Sequence, residues 1–325
     1  MRPSRRTILP GSLPTSPDRS DWRTSVAYLQ LSVVACIWGG NYVAAKVLLH
    51  LWPPDRFAAV RIALAAVMLA GWATARGQRW RIGARSWCWL ILAGLLGIGL
   101  NNGLLYTGLG GTSADHGALI MALVPVGTAV ALRLGGGEPL SRGRALAVVL
   151  GTLGAAVVVL PAGGLTALAH LRRGDLEILG AMASSSASFL FLIRGLQGVD
   201  AVTATAVTLG SGALVLAPGA LLERMPGPGA GAVWAIALFL TSAVLSMGLG
   251  MLWWNSGVAM VGATRTVIFN DVVPAVTLVL NAVWLGVPIT FRDILGFVLT
   301  AAAIAATVAP ERRPAGRLTE ARGWR

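Results

Sequence analysis

"GLNNGLLYTGLGGTSADHGALIMALVPVGTAVALRLGGGEPLSRGRALAVVL", Gly99 to Leu150, aligns without a gap at a shift of 149 residues with "GLGMLWWNSGVAMVGATRTVIFNDVVPAVTLVLNAVWLGVPITFRDILGFVL", Gly248 to Leu299. Gly99/Gly248, Gly108/Gly257, Ala114/Ala263, Pro125/Pro274, Thr128/Thr277, Gly137/Gly286, Pro139/Pro288 and Leu146/Leu295 coincide. Apolar composition alone would pair Leu with Val, but it would not align three glycines and two prolines at one offset. The chain therefore holds two copies of one unit.

That unit is built for lipid. The 325 residues are 55% hydrophobic and 12% charged, with a mean hydropathy of +0.72, whereas a soluble domain carries about 25% charged residues. Apolar runs of bilayer-spanning length, roughly 17–25 residues, recur between charged, Gly and Pro boundaries at 26–49, 57–75, 87–108, 114–133, 143–161, 176–194, 201–222, 232–254, 264–286 and 290–309. The reading is an all-α integral membrane protein of ten transmembrane helices. It divides into a first five-span repeat over 26–161 and a second over 174–309, with cytoplasmic tails at 1–25 and 310–325 that read as disordered.

Ten spans put both tails on one side, and charge selects which. The tail side collects 19 Lys and Arg residues against five on the other, so the positive-inside rule places both termini in the cytoplasm. The net charge of +13 is accounted for by this asymmetry and by contact with anionic lipid headgroups, without a nucleic-acid partner. "SRRTIL" near the N-terminus lacks the apolar stretch that an export signal needs. An odd number of spans per repeat means that the second copy enters the membrane from the opposite side. This is an inverted-topology repeat, a plan in which solute binds between the halves near the midplane.

The residues also carry a resemblance. "IWGGNYVAAKVLLHLWPPDRFAAVRIALAAVML" (37–69), "GTSADHGALIMALVPVGTAVALRLGGGEPLSRGRALAVVLGTLGAAVVVL" (111–160) and "GDLEILGAMASSSASF" (174–189) resemble parts of the EamA domain of the drug/metabolite transporter superfamily. The resemblance spans roughly 30–309 and implies a ten-span permease for small metabolites, often amino acids or other polar solutes and often outward. The superfamily also holds permeases for sugar phosphates and nucleotide sugars, so anionic phosphorylated solutes remain the alternative. Two departures stand out: span 6 lacks the Trp-Gly of span 1, and Val287 replaces the Glu138 of the first copy.

Polar residues inside the spans mark the candidate pathway. Trp38, Tyr42 and Lys46 recur every fourth residue and share a helix face, with Asn41 close to it. This face reads as cavity lining, with a packing stripe as the alternative. Lys46 and Arg61 fall toward the outer face. They read as a cationic gate for an anionic or carboxylate-bearing solute, or as snorkelling side chains. Asn101, Asn102 and Tyr106 in span 3 and Trp253, Trp254 and Asn255 in span 8 occupy corresponding parts of the two halves, and all are candidate lining. Asp271, with Asn270 beside it, lies near the midplane, where a carboxylate costs about 2.5–3.5 kcal/mol. It is the candidate for proton coupling or amine binding, or else the acidic half of a salt bridge with Lys46 or Arg61. Pro125 and Pro274 each predict a kink. Ser184, Ser185, Ser186 and Ser188 either line the path or bond back to their own helix. Ser141 and Thr290 are placed to cap the last span of each repeat.

No HExxH, GxSxG or paired-carboxylate motif suggests an enzyme. Cys36, Cys88 and the three histidines form no ligand set, so no metal or cofactor is expected. The expected partners are a small-molecule solute and membrane lipids. The setting is the cell's inner membrane, and the oligomeric state is left open.

Overall fold

The computed structural model describes residues 19–78, 80, 82–134, 146, 149–150, 153–154, 157, 172–222, 232–262, 266, 269–270 and 272–308, and among them it is helical with no strand. The first half contributes α1 (Arg19–Leu48), α2 (Pro54–Ala75), α3 (Ala84–Gly94), α4 (Asn101–Gly111), α5 (Ala114–Met121) and α6 (Val124–Leu134). The second contributes α7 (Arg173–Gly195), α8 (Ala201–Leu222), α9 (Ala232–Thr241), α10 (Met251–Val261), α11 (Val272–Leu285) and α12 (Phe291–Val308).

Among the described residues, seven helical segments are long and apolar enough to cross a membrane, and Val272–Leu285 is apolar but shorter. The expected span at 143–161 lies largely outside the described residues. So do Glu138 and Ser141, which belong to the turn before it. The first helix begins at Arg19 rather than at 26, because its polar first turns continue the helix beyond the apolar run. Large apolar side chains point outward, among them Val67 at 71% exposure, Leu214 at 73% and Val233 at 83%. That surface suits acyl chains and not water.

Local chemistry explains several helix ends. Pro54 opens α2 at the position where a missing N–H removes no helical bond. Ser113 caps α5 by accepting from the His116 backbone N–H at 3.3 Å. Thr290 and Asp293 cap α12 reciprocally, as expected for Thr290. Asp293 N–H donates to Thr290 Oγ1 at 3.3 Å, and Thr290 N–H donates to Asp293 Oδ2 at 2.8 Å, the arrangement of a capping box.

The repeat seen in the sequence recurs in the helices. A π-helical turn, Leu95–Leu100, joins α3 to α4, and another, Ser242–Gly250, joins α9 to α10. The 149-residue shift carries the first inside the second. Such turns widen a helix locally and recur at functional sites. A shift of 147 carries α2, Pro54–Ala75, onto α8, Ala201–Leu222. Pro125 is the second residue of α6, just past the Ala122–Leu123 interruption within the span His116–Leu134, and Pro274 is the third residue of α11; a proline lacks the helical N–H and crowds the turn before it.

The two halves interleave. α2 packs along α8, α4 along α7, and α1 along α11. At the α4–α7 crossing, a Cβ on Gly108 would lie 2.6 Å from the Gly174 carbonyl oxygen, so the two backbones meet only because both positions are glycine.

Candidate functional site

A central cavity of about 960 Å³, its mouth included, opens between the halves. α1 supplies Trp38, Asn41 and Tyr42; the first π turn and α4 supply Gly97, Ile98, Asn102, Leu105 and Tyr106. From the second half come Ser185, Ser188 and Phe189 of α7, Thr208 of α8, Ser246 and Met247 of the second π turn, and Met251, Trp254 and Asn255 of α10. Ala93 of α3, Ala118 and Met121 of α5, Ala122, Leu192 of α7, Asn270 and Val273 complete the wall. Several of these are repeat mates at the 149-residue shift: Gly97 with Ser246, Ile98 with Met247, Asn102 with Met251, Leu105 with Trp254, and Tyr106 with Asn255. The fold thus brings equivalent positions of the two copies to face one space.

Behind the first-half wall lies Arg61, wholly buried. Its Nη1 donates to Asn41 Oδ1 and to Ser242 Oγ, both at 2.7 Å. Its Nη2 donates to the Tyr106 hydroxyl and, at 3.5 Å, reaches Asn102 Oδ1. The guanidinium carbon stands 4.8 Å from the centre of the Phe57 ring, an attractive arrangement of cation and aromatic face. Among the described residues no carboxylate lies within ion-pair distance of Arg61. A buried charge without a counter-ion is costly, and among the described residues hydrogen bonds and aromatic rings offset it.

Among the described residues the opposite wall carries no charged side chain. Asn255 Nδ2 donates to Thr205 Oγ1 at 2.9 Å, while Asn255 Oδ1 and Ser246 Oγ are buried without a partner among the described residues. Buried polar atoms are nearly always hydrogen-bonded, so these two mark places where a solute or water is wanted. Trp38 and Trp254 meet with ring centres 4.9 Å apart. Trp38 Nε1–H is committed to the Ser246 carbonyl at 3.1 Å, which joins α1 to the second π turn.

Of the residues singled out from sequence, Trp38, Asn41, Tyr42, Asn102, Tyr106, Trp254, Asn255 and Asn270 line this cavity. Arg61 stands behind them rather than at an exposed rim. Asn101 donates to the Ala181 carbonyl at 2.8 Å and ties α4 to α7. Lys46 does not line the cavity: its Nζ donates to the Leu109 carbonyl at 2.8 Å and the Thr112 carbonyl at 2.5 Å, where a cation suits the C-terminal end of a helix. Asp271 lies outside the described residues. The α7 serines divide. Ser185 and Ser188 face the cavity, whereas Ser184 bonds the Leu96 carbonyl at 2.7 Å and Ser186 the Val124 carbonyl at 3.3 Å. Ser242 and Ser246 were not anticipated; each is a hydroxyl inside the apolar run "FLTSAVLSMG", and that was the available signal.

Comparison with known proteins bears on this arrangement. The model of the EamA-like transporter family matches residues 25–160 and 172–309. The chain is 28% identical to the uncharacterized transporter YyaM of Bacillus subtilis (strain 168) over 84% of this chain and 90% of that one. It is 25% identical to the uncharacterized transporter YvbV of the same organism, over 85% and 89%. A solved crystal structure superposes with a TM-score of 0.62 at 18% identity, over 87% of this chain and 96% of the other, a likeness of fold.

Proposed function

We propose, from the premise that this chain belongs to the EamA-like transporter family, that its cavity carries small polar metabolites such as amino acids across the cell's inner membrane, outward, by alternating access. The chain is a multi-pass membrane transporter. The finer reading has ten spans in two inverted halves with both termini cytoplasmic. The observation that supports it is a cavity walled by repeat-equivalent residues of both copies. Two like halves of opposite orientation could exchange shapes at small cost, which would open the cavity to each side in turn.

Asp271 would couple this exchange to protons. It directly follows Asn270 in sequence, a residue of the cavity wall, and a midplane carboxylate is most readily tolerated when it can take up a proton. Exchange of phosphorylated anions is the second reading, favoured by the buried Arg61, which has no carboxylate within ion-pair distance among the described residues. Against it, no Lys or Arg lines the cavity among the described residues, whereas binding a phosphate group typically uses clustered cations or charge-assisted donors.

Proteoliposomes loaded with a broad metabolite panel test the proposal. Selective, saturable flux of a small polar solute is expected. Folded protein that moves no member of the panel would end the transport reading for this solute class.

A further inference from the structure

We infer that Asn41 and Tyr106, oriented by Arg61, offer hydrogen-bond donors to the cavity, so the site takes a solute by a carboxylate end in preference to an ammonium end. The inference rests on the reading of this cavity as the solute site, and it concerns which chemistry that site selects.

The donor and acceptor capacity of each group fixes its orientation. A guanidinium donates and never accepts, so the Asn41 atom facing Arg61 has to be oxygen, and the amide nitrogen is turned the other way. Asn41 Nδ2 there donates to the Tyr106 hydroxyl at 3.2 Å. Ser242 Oγ accepts from Arg61 and passes its own proton to Asn41 Oδ1 at 2.6 Å. Asn41 Oδ1 therefore receives two donors, and the Tyr106 oxygen also receives two, from Arg61 and Asn41. Two lone pairs are the acceptor capacity of a hydroxyl, so Tyr106 is left with a proton to give. No acceptor for it is found among the described residues, nor for the second N–H of Asn41. Both residues line the cavity.

Arg61 thus acts without touching the solute. It fills the acceptor positions of its neighbours, fixes their orientation and supplies a positive charge that lacks a carboxylate among the described residues. A carboxylate entering the cavity would meet two oriented donors and bring a negative charge toward Arg61. A charge-assisted bond of this kind is worth more than a neutral one. An ammonium would meet donors and a like charge in a low-dielectric space, where both penalties are large. The role of Arg61 is positioning, and the contact residues are Tyr106 and Asn41.

Three probes of nearly equal size separate these end groups: phenylacetate, phenylacetamide and phenethylamine, with binding measured by calorimetry on the detergent-solubilised full chain. The expected order of affinity is phenylacetate, then phenylacetamide, then phenethylamine. Tyr106→Phe should weaken phenylacetate about tenfold, the effect of one hydrogen bond to a charged group, and leave phenethylamine unchanged. Asn41→Asp is nearly isosteric and gives Arg61 an internal carboxylate. It should abolish the preference for phenylacetate while the protein remains folded. Phenethylamine binding as tightly as phenylacetate to wild-type protein, or an unchanged phenylacetate affinity in Tyr106→Phe, would overturn the donor-wall inference and leave the cavity standing as the site. Phenylacetate binding undiminished in Ser185→Trp, which fills the cavity, would instead overturn the cavity itself.

Discussion

Tyr106 and Asn255 stand 149 positions apart in the chain, each follows a π-helical turn in its own repeat, and both line the central cavity. They are the same place in two copies of one unit, used differently. The Tyr106 oxygen has both acceptor positions filled, by Arg61 and Asn41, and keeps a proton to give, whereas Asn255 keeps one buried oxygen without a partner among the described residues.

At Asn255 that difference bears on folding and on function. Asn255→Leu removes an unsatisfied polar atom but also the donor to Thr205 Oγ1, a hydrogen bond whose loss costs folding about 0.5–1.5 kcal/mol. The loss of a polar contact on the second-half wall should also lower solute flux. Thermal unfolding in detergent, paired with proteoliposome flux, reads both at once.

Arg61 should weigh more heavily on folding. Arg61→Met takes the charged donor from Asn41, Ser242 and Tyr106, while the Ser242–Asn41 and Asn41–Tyr106 bonds remain. Hydrogen bonds to a charged group contribute about 1.5–3 kcal/mol each, partly offset by relief of the buried charge, so a loss of about 1.5–3 kcal/mol in unfolding free energy is expected. Arg61→Lys keeps the charge but not the fork that reaches several acceptors, and it should recover only part of the loss.

Lys46 is expected to matter for the helix end more than for the solute. Lys46→Met removes donors from two carbonyls near the end of α4, and bonds from charged groups contribute about 1.5–3 kcal/mol. Unfolding should shift by an amount in that range. The affinity of the cavity for its solute should stay close to wild type.

Proton coupling gives a prediction of its own. Asp271→Asn cannot take up a proton, so an imposed pH gradient should no longer drive accumulation. Exchange of labelled for unlabelled solute should continue. Coupling that survives the substitution would remove Asp271 from the mechanism.

How far the sequence carries these points depends on what each feature requires. Gly99, Gly108, Pro125 and their mates at 248, 257 and 274 declare the repeat because close backbone approach and missing donors constrain residue type strongly. Trp38, Asn41, Tyr106 and Asn255 could be read as lining because polar and aromatic groups in apolar runs need a reason to be there. The place of Arg61 could not be read. Counting along the span puts it near the outer mouth, but its setting is made by Ser242, which is 181 residues away. The capping role of Lys46 was hidden for the same reason, since the carbonyls it meets belong to another helix. The π turns leave no trace in hydropathy, because one extra residue per turn changes geometry without changing composition.

The central claim is that solute passes through the cavity shared by the two copies, and flux through a cavity-filled variant tests it most directly. Ser185 faces that space from α7, and Ser185→Trp places an indole in it. With the best-transported solute of the panel, wild-type proteoliposomes should show saturable flux, and Ser185→Trp proteoliposomes, with protein shown to be folded, should fall to the level of empty liposomes. Undiminished flux in the filled variant would contradict the account.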